Sequence, residues 1–316
     1  MGEFELIRTL FHPLAEATWR NGVRLGPGDD CAIQSVPSGC ELVFSIDTLV
    51  EGVHFPKSYS PRHLGWRSLA VAVSDLAAMG ADPVCYTLAL TLPQADSGWV
   101  REFVAGLREA SQAFAIALAG GDITRGPLTI TLQVHGTVPE GQAIRRSGAR
   151  PGDLVAVTGP LGGAAAALPW LDSDVPAPRH ATAFLDRYHR PEPRCDLGRS
   201  LRGVASAAID ISDGLVADLG HILSASGVGA ELSPEKIPRN FGDTRATLDQ
   251  ALYGGDDYEL CVTLAPDAVS TLAAHLGTSL TLVGTVSQGS GLRLVHADGV
   301  IEEIARPAGY DHFQQN

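Results

Sequence analysis

Arg62 to Leu92 reads RHLGWRSLAVAVSDLAAMGADPVCYTLALTL, and its punctuation decides the fold class. Trp66, Leu69, Ala70, Val73, Leu76 and Ala77 recur at helical spacing from about Arg62 to Met79. Gly80 is a plausible C-terminal stop and Pro83 bars continuation, so a strand over Val84–Leu92 should follow the helix. This is the most apolar part of the chain, but Ser74, Asp75, Asp82 and Pro83 break it up, which argues against a membrane span. Asp75 stands out. On a helical wheel it lies opposite the Trp66, Leu69, Val73 face, while Val71, Ala72, Ala78 and Met79 make its own side largely apolar as well. A helix covered on both sides has little reason to keep a carboxylate unless that group is paired or bound to metal.

Working outward, strands and helices alternate. Glu41 to Asp47 has the period of a half-buried strand, with Leu42, Phe44 and Ile46 on one face, Val43, Ser45 and Asp47 on the other, and Asp47 at its C-terminal end. Trp99, Phe103, Leu107 and Ala110 mark a second helix that leads into AIALAGGD and the alternating LTITLQV. Pro, Gly and charge gather at 139–152, where a linker and domain boundary are expected. Beyond it come a strand at Asp153–Thr158, a GPLGG bend into a small-residue helix, a polar Pro-rich segment over 172–193, and the strand ASAAIDIS. A helix capped by Ser212 should follow, with Leu215, Leu219, Ile222 and Leu223 on one side and Gly227 as its stop. GGDDYELCVTL and two further strands, near Leu282–Val286 and Leu292–His296, complete a second mixed α/β half.

With 316 residues, 45% of them hydrophobic, the chain is long enough for two cores. Its formal net charge of -13 argues against gripping nucleic acid or an anionic membrane surface, which require basic stripes. The 5 Cys residues are scattered and never form a C-x-x-C pair, so neither a disulfide framework nor a zinc site is indicated, and a reducing cytoplasm fits. MGEFELIRTL lacks the basic and apolar regions of an export signal.

Five stretches place carboxylates beside glycine, serine or threonine where an apolar run ends: GPGDD at 26–30, SIDT at 45–48, SD at 74–75, GGD at 120–122 and DISDG at 210–214. Four converging carboxylates about 5 Å apart would repel by roughly 3 kcal/mol per pair at an effective dielectric of about 20. Protons or cations must relieve that, and hard oxygen donors in that number suit magnesium on a polyphosphate. Taken singly, GPGDD reads more readily as a solvated turn, Arg145 and Arg146 as solvated charge with a phosphate clamp as the alternative, and His54 as structural. GPLGG lacks the Walker lysine, and its small residues read as helix packing.

Read together, GDD, S-x-D-T-L-V-E-G-V-H-F, S-D-L-A-A-M-G-A-x-P, GGD-x-T, RRSGA, D-I-S-D-G-L and GG-x-DYEL resemble, in order and spacing, the thiamine-monophosphate kinase family over essentially the whole chain. That family falls in the aminoimidazole ribonucleotide synthetase-like superfamily. The resemblance implies an α+β protein of two mixed α/β domains, an ATP- and magnesium-binding domain over 1–147 and a second over 148–316, dimerising through N-terminal strands. It implies several Mg2+ ions held by Asp30, Ser45, Ile46 (through its carbonyl), Asp47, Asp75, Asp122, Asp210 and Asp213. Asp47, Asp75 and Asp122 would form the catalytic scaffold. ATP would meet Gly121, Asp122, Arg146 and Ser212, and thiamine monophosphate would meet His54, Asp256 and Tyr310. Asp256 stands where Glu is usual, so a water could bridge it to the substrate.

The activity implied is transfer of the γ-phosphoryl group of ATP straight to the phosphate of thiamine monophosphate, in a cytoplasmic homodimer. A sister enzyme with another acceptor is the alternative. Cys31 beside GDD keeps it open, although a small buried cysteine explains Cys31 more simply. A nucleotide-sensing or metal-buffering module would bind without turnover.

Overall fold

The computed structural model describes residues 2–20, 22–171, 177–269 and 280–304. They form two compact units, one of residues 1–76 and 81–141, the other of residues 77–80 and 142 onward.

The first unit is built on a four-stranded sheet. Its strands are β1 (Cys40–Val50), β2 (Asp82–Leu92), β3 (Ala117–Arg125) and β4 (Thr129–Pro139), in the order β1-β4-β2-β3. β4 pairs antiparallel with β1 and β2, whereas β2 and β3 run parallel, joined by the crossover helix α2 (Ser97–Ala113). Asp96 caps α2 by accepting from the Gly98 and Trp99 amides at 2.8 and 3.2 Å. Helix α1 (Pro61–Ala78) ends where Gly80 turns left-handed at φ +67°. Pro83 does not delay the next strand, because its missing N–H falls at a register shift between Pro83 and Cys85.

One expectation shifts. Asp47 is not at a strand end, since β1 runs three residues further to Val50. Asp122 lies inside β3. The apolar row of β1 also points away from the core: Leu42, Phe44 and Ile46 are 42%, 61% and 62% exposed, while Asp47 is half-buried on the other face.

A seven-stranded sheet carries the second unit. Its strands are β5 (Leu154–Val157), β6 (Ala205–Asp210), β7 (Gly229–Leu232), β8 (Leu260–Leu264), β9 (Thr281–Ser287), β10 (Gly291–Val295) and β11 (Ile301–Ile304). Their order is β11-β10-β7-β9-β5-β8-β6, antiparallel except for β10 beside β7. Val155, Val157, Ile209, Cys261, Val283 and Leu292 from the sheet pack into one core with Leu215, Leu219 and Ile222. The unit's helices include α3 (Gly163–Ala167), α4 (Thr182–His189), α5 (Leu215–Ser226) and α6 (Leu248–Tyr253), with a further short helix at Cys195–Ser200. α4 lies within the segment read from sequence as polar and Pro-rich, its Phe184 and Tyr188 buried.

Candidate active site

Ser45, Asp47 and Asp75 come together in the first unit. Ser45 and Asp47 share a face of β1 because strand side chains alternate, and the Ser45 hydroxyl donates to the Asp75 carboxylate on α1. Burial, and then the charge of Asp75, raise the Asp47 carboxyl to about 7. Such a pair is poised to shed its repulsion onto a cation, and its donors are all hard oxygens, so the local chemistry fits magnesium.

The other acids of the first unit lie apart. Register runs from Asp47 to Leu132, Leu88 and Gly121, so Asp47 and Gly121 occupy opposite edge strands, about 14 Å apart at the usual strand spacing. Asp122 sits on the next row, opposite Ala89, and therefore faces the other side of the sheet from Asp47. Asp30 is exposed, its amide donating to Asp29 Oδ1 at 2.9 Å. Among the described residues no group of three or more His, Cys, Asp or Glu forms a ready-made metal cage.

Gly121 is fixed by space: a Cβ there would lie 2.2 Å from the Leu88 carbonyl oxygen. Beside it an apolar pocket is lined by Ile7, Phe11, Leu88 and Leu118 together with the Gly120–Ile123 segment. His54 closes the end of β1. Its Nδ1 accepts from the Val50 amide at 3.0 Å, which places the proton of the neutral ring on Nε2.

In the second unit the DISDG and GGDD motifs, far apart in sequence, meet through backbone bonds where β6 and β8 pair. Asp256 N donates to the Ser212 carbonyl at 2.8 Å and Tyr258 N to the Ile211 carbonyl at 2.8 Å. Asp210 is the buried last residue of β6, opposite Leu260. Asp256 adopts φ +69°, with its carboxylate accepting from the Tyr258 hydroxyl at 2.9 Å. Arg146 is exposed, its carbonyl accepting from Ser226 Oγ at 3.4 Å. Tyr310 lies outside the described residues.

Ser212 is not the helix cap expected from sequence. α5 starts at Leu215 behind Gly214, and the amides of Ser212 and Asp213 are met instead by Asp218 Oδ2, at 3.0 Å each. Cys31, expected to be a small buried cysteine, is exposed.

Sequence reasoning missed three acids. Asp218 is one. Asp257 accepts from the Gly162 and Gly163 amides at 2.7 and 3.2 Å, so the GPLGG turn is filled by an internal carboxylate. Burial raises Asp257 to about 8 despite those bonds. Glu259 is fully buried and takes bonds from Thr158 Oγ1 at 2.6 Å, Arg194 Nε at 2.8 Å and the Arg187 guanidinium. Burial alone would raise it, but Arg194, Arg187 and Thr158 outweigh that and hold it below the ordinary carboxylate value. The density of acids in GGDDYEL was the available signal: Asp257 and Glu259 are buried there, whereas Asp256 is only partly so.

Comparison with known proteins bears on the fold and the family. Residues 28–138 match the family model for AIR synthase related protein, N-terminal domain, and residues 150–297 match that for AIR synthase related protein, C-terminal domain. Thiamine-monophosphate kinase of Salmonella typhimurium is 43% identical over 323 residues, covering 99% of this chain and 98% of that protein. The crystal structure of thiamine-monophosphate kinase from Stenotrophomonas maltophilia is similar with a TM-score of 0.82 and 41% identity, over 92% of this chain and 96% of that one. AaThiL complexed with AMPPCP and TMP is similar with a TM-score of 0.78 and 30% identity, over 99% of both chains. The chain therefore belongs to the thiamine-monophosphate kinase family of the AIR synthase-related proteins.

Proposed function

We propose that this chain transfers the γ-phosphoryl group of ATP directly to the phosphate of thiamine monophosphate, giving thiamine diphosphate and ADP. The Asp47–Asp75 pair with Ser45 carries the reading, because two crowded carboxylates beside a hydroxyl suit a cation that a polyphosphate shares. The AaThiL complex with AMPPCP and TMP supports the choice of the two ligands. Asp30, the Ile46 carbonyl, Asp122, Asp210 and Asp213 are the further ligand positions that the family resemblance assigns. Bound magnesium ions supply charge neutralisation along the phosphates.

The chain's own residues do the rest by alignment. The acceptor phosphate is already ionised near neutral pH, so neither a strong base nor a covalent intermediate is required. His54 Nε2–H and Asp256 offer one donor and one acceptor to the thiamine side, and Gly121, Arg146 and Ser212 meet the nucleotide. The apolar pocket at Phe11 suits a planar heterocycle.

A homodimer completes this reading. The outward row Leu42, Phe44 and Ile46 gives a second copy an apolar seat, and pairing the sheets at their edges would bring the Asp122 strand of one copy to the Asp47 strand of the other. Incubation with ATP, magnesium and thiamine monophosphate, followed by 31P NMR, tests the activity. A thiamine diphosphate signal supports it. ATP consumed only with a different acceptor, or binding with no turnover, would overturn it.

A further inference from the structure

The first amides of a helix are normally left open and favour anions, so a loop such as DISDG at the head of α5 would be expected to hold phosphate on its N–H groups. Here that place is taken. Asp218, one turn into α5 and only 2% exposed, turns its carboxylate back to the Ser212 and Asp213 amides, while its own amide donates to the Gly214 carbonyl at 3.0 Å. Gly214 has no side chain to serve as a cap.

Two other contacts leave the loop little room. Gly214 holds φ +109°, and a Cβ on it would lie 2.9 Å from the Tyr253 carbonyl carbon in α6. On the GGDD side, the Asp256 amide grips the Ser212 carbonyl at 2.8 Å. Of these three braces only Asp218 acts through a side chain.

We propose that Asp218 is a positioning residue for phosphoryl transfer: its carboxylate fills the amide pair of Ser212 and Asp213, so that this loop meets nucleotide and cation with its side chains and not with its backbone N–H groups. The inference rests on the reading that Ser212 and Asp213 face those ligands. Moving the Asp218 oxygen by one methylene moves both residues together. Keeping an oxygen at the same distance leaves them in place.

The test compares Asp218→Glu, Asp218→Asn and Ile222→Val with the wild-type enzyme, measuring KM for Mg·ATP, kcat and Tm. Ile222 is fully buried one turn beyond Asp218 in the same helix and has no polar atom to reach the loop amides, so its truncation reports helix packing alone. Asp218→Glu is expected to raise KM at least about tenfold, the usual scale for a group that orients ligand-bearing residues. Asp218→Asn, which retains an acceptor oxygen, should stay within about twofold of wild type, as should Ile222→Val even where its Tm falls. A wild-type KM in Asp218→Glu would overturn the assignment, as would an equal rise in Ile222→Val or in Asp218→Asn. If the wild-type chain makes no thiamine diphosphate, the functional reading fails instead. Calorimetric binding of Mg·AMPPCP to the same variants then decides the role of Asp218.

Discussion

Asp75 shows how far a single side chain can be read from sequence. An acid on a helix covered on both sides needs a partner, and Ser45 and Asp47 are the partners found. Asp75→Asn is expected to abolish most turnover with little change in Tm; near-normal activity at low millimolar magnesium would refute its role. Asp47 offers a pH test. Its folded carboxyl titrates near 7 and its unfolded one near 3.8, so the folded chain holds the extra proton between those values and the ion-free protein loses stability as pH rises through that window. Asp47→Asn should flatten that slope and stabilise the ion-free protein by a few kcal/mol at most near pH 8, measured by urea unfolding across pH. Asp218 was not legible in the same way. An acid in a first helical turn is ordinarily explained by the helix dipole, and only coordinates reveal that it turns back on the loop before it.

Helix, stop and strand over Arg62–Leu92 were legible because apolar period, glycine and proline all agreed there, and the structure follows them closely. The start of α5 was not. Serine, aspartate and glycine each make plausible caps in DISDG, and packing of Gly214 against Tyr253 decides among them in a way no local pattern records. Elements held by buried charge are the fragile ones. Glu259→Gln leaves Arg187 and Arg194 facing a neutral group at the foot of β8 and should cost about 3–5 kcal/mol in chemical unfolding, since it strands charge inside the protein. By contrast, Asp96→Ala removes only the cap of α2 and is expected to cost about 1 kcal/mol.

For the whole molecule, two mixed α/β units were readable from alternating periods, but the outward turn of Leu42, Phe44 and Ile46 was not: period two assigns residues to two faces without saying which one is covered. In the proposed homodimer that row is the seat for the second copy, and the site would draw Asp47 and Asp122 from different copies. Mixing inactive Asp47→Asn and Asp122→Asn chains after unfolding and refolding should then restore about a quarter of wild-type turnover, because half of the random dimers contain one intact site. No recovery would place each site within one chain. Beneath all of this lies the claim that Asp47 and Asp75 share a cation with the polyphosphate. The most direct measurement is 13C NMR of the Asp47 carboxyl through a pH titration, without magnesium and then with Mg·AMPPCP. The expected result is a midpoint near 7 that falls well below 5 when the complex binds. A midpoint that stays where it was would contradict the account.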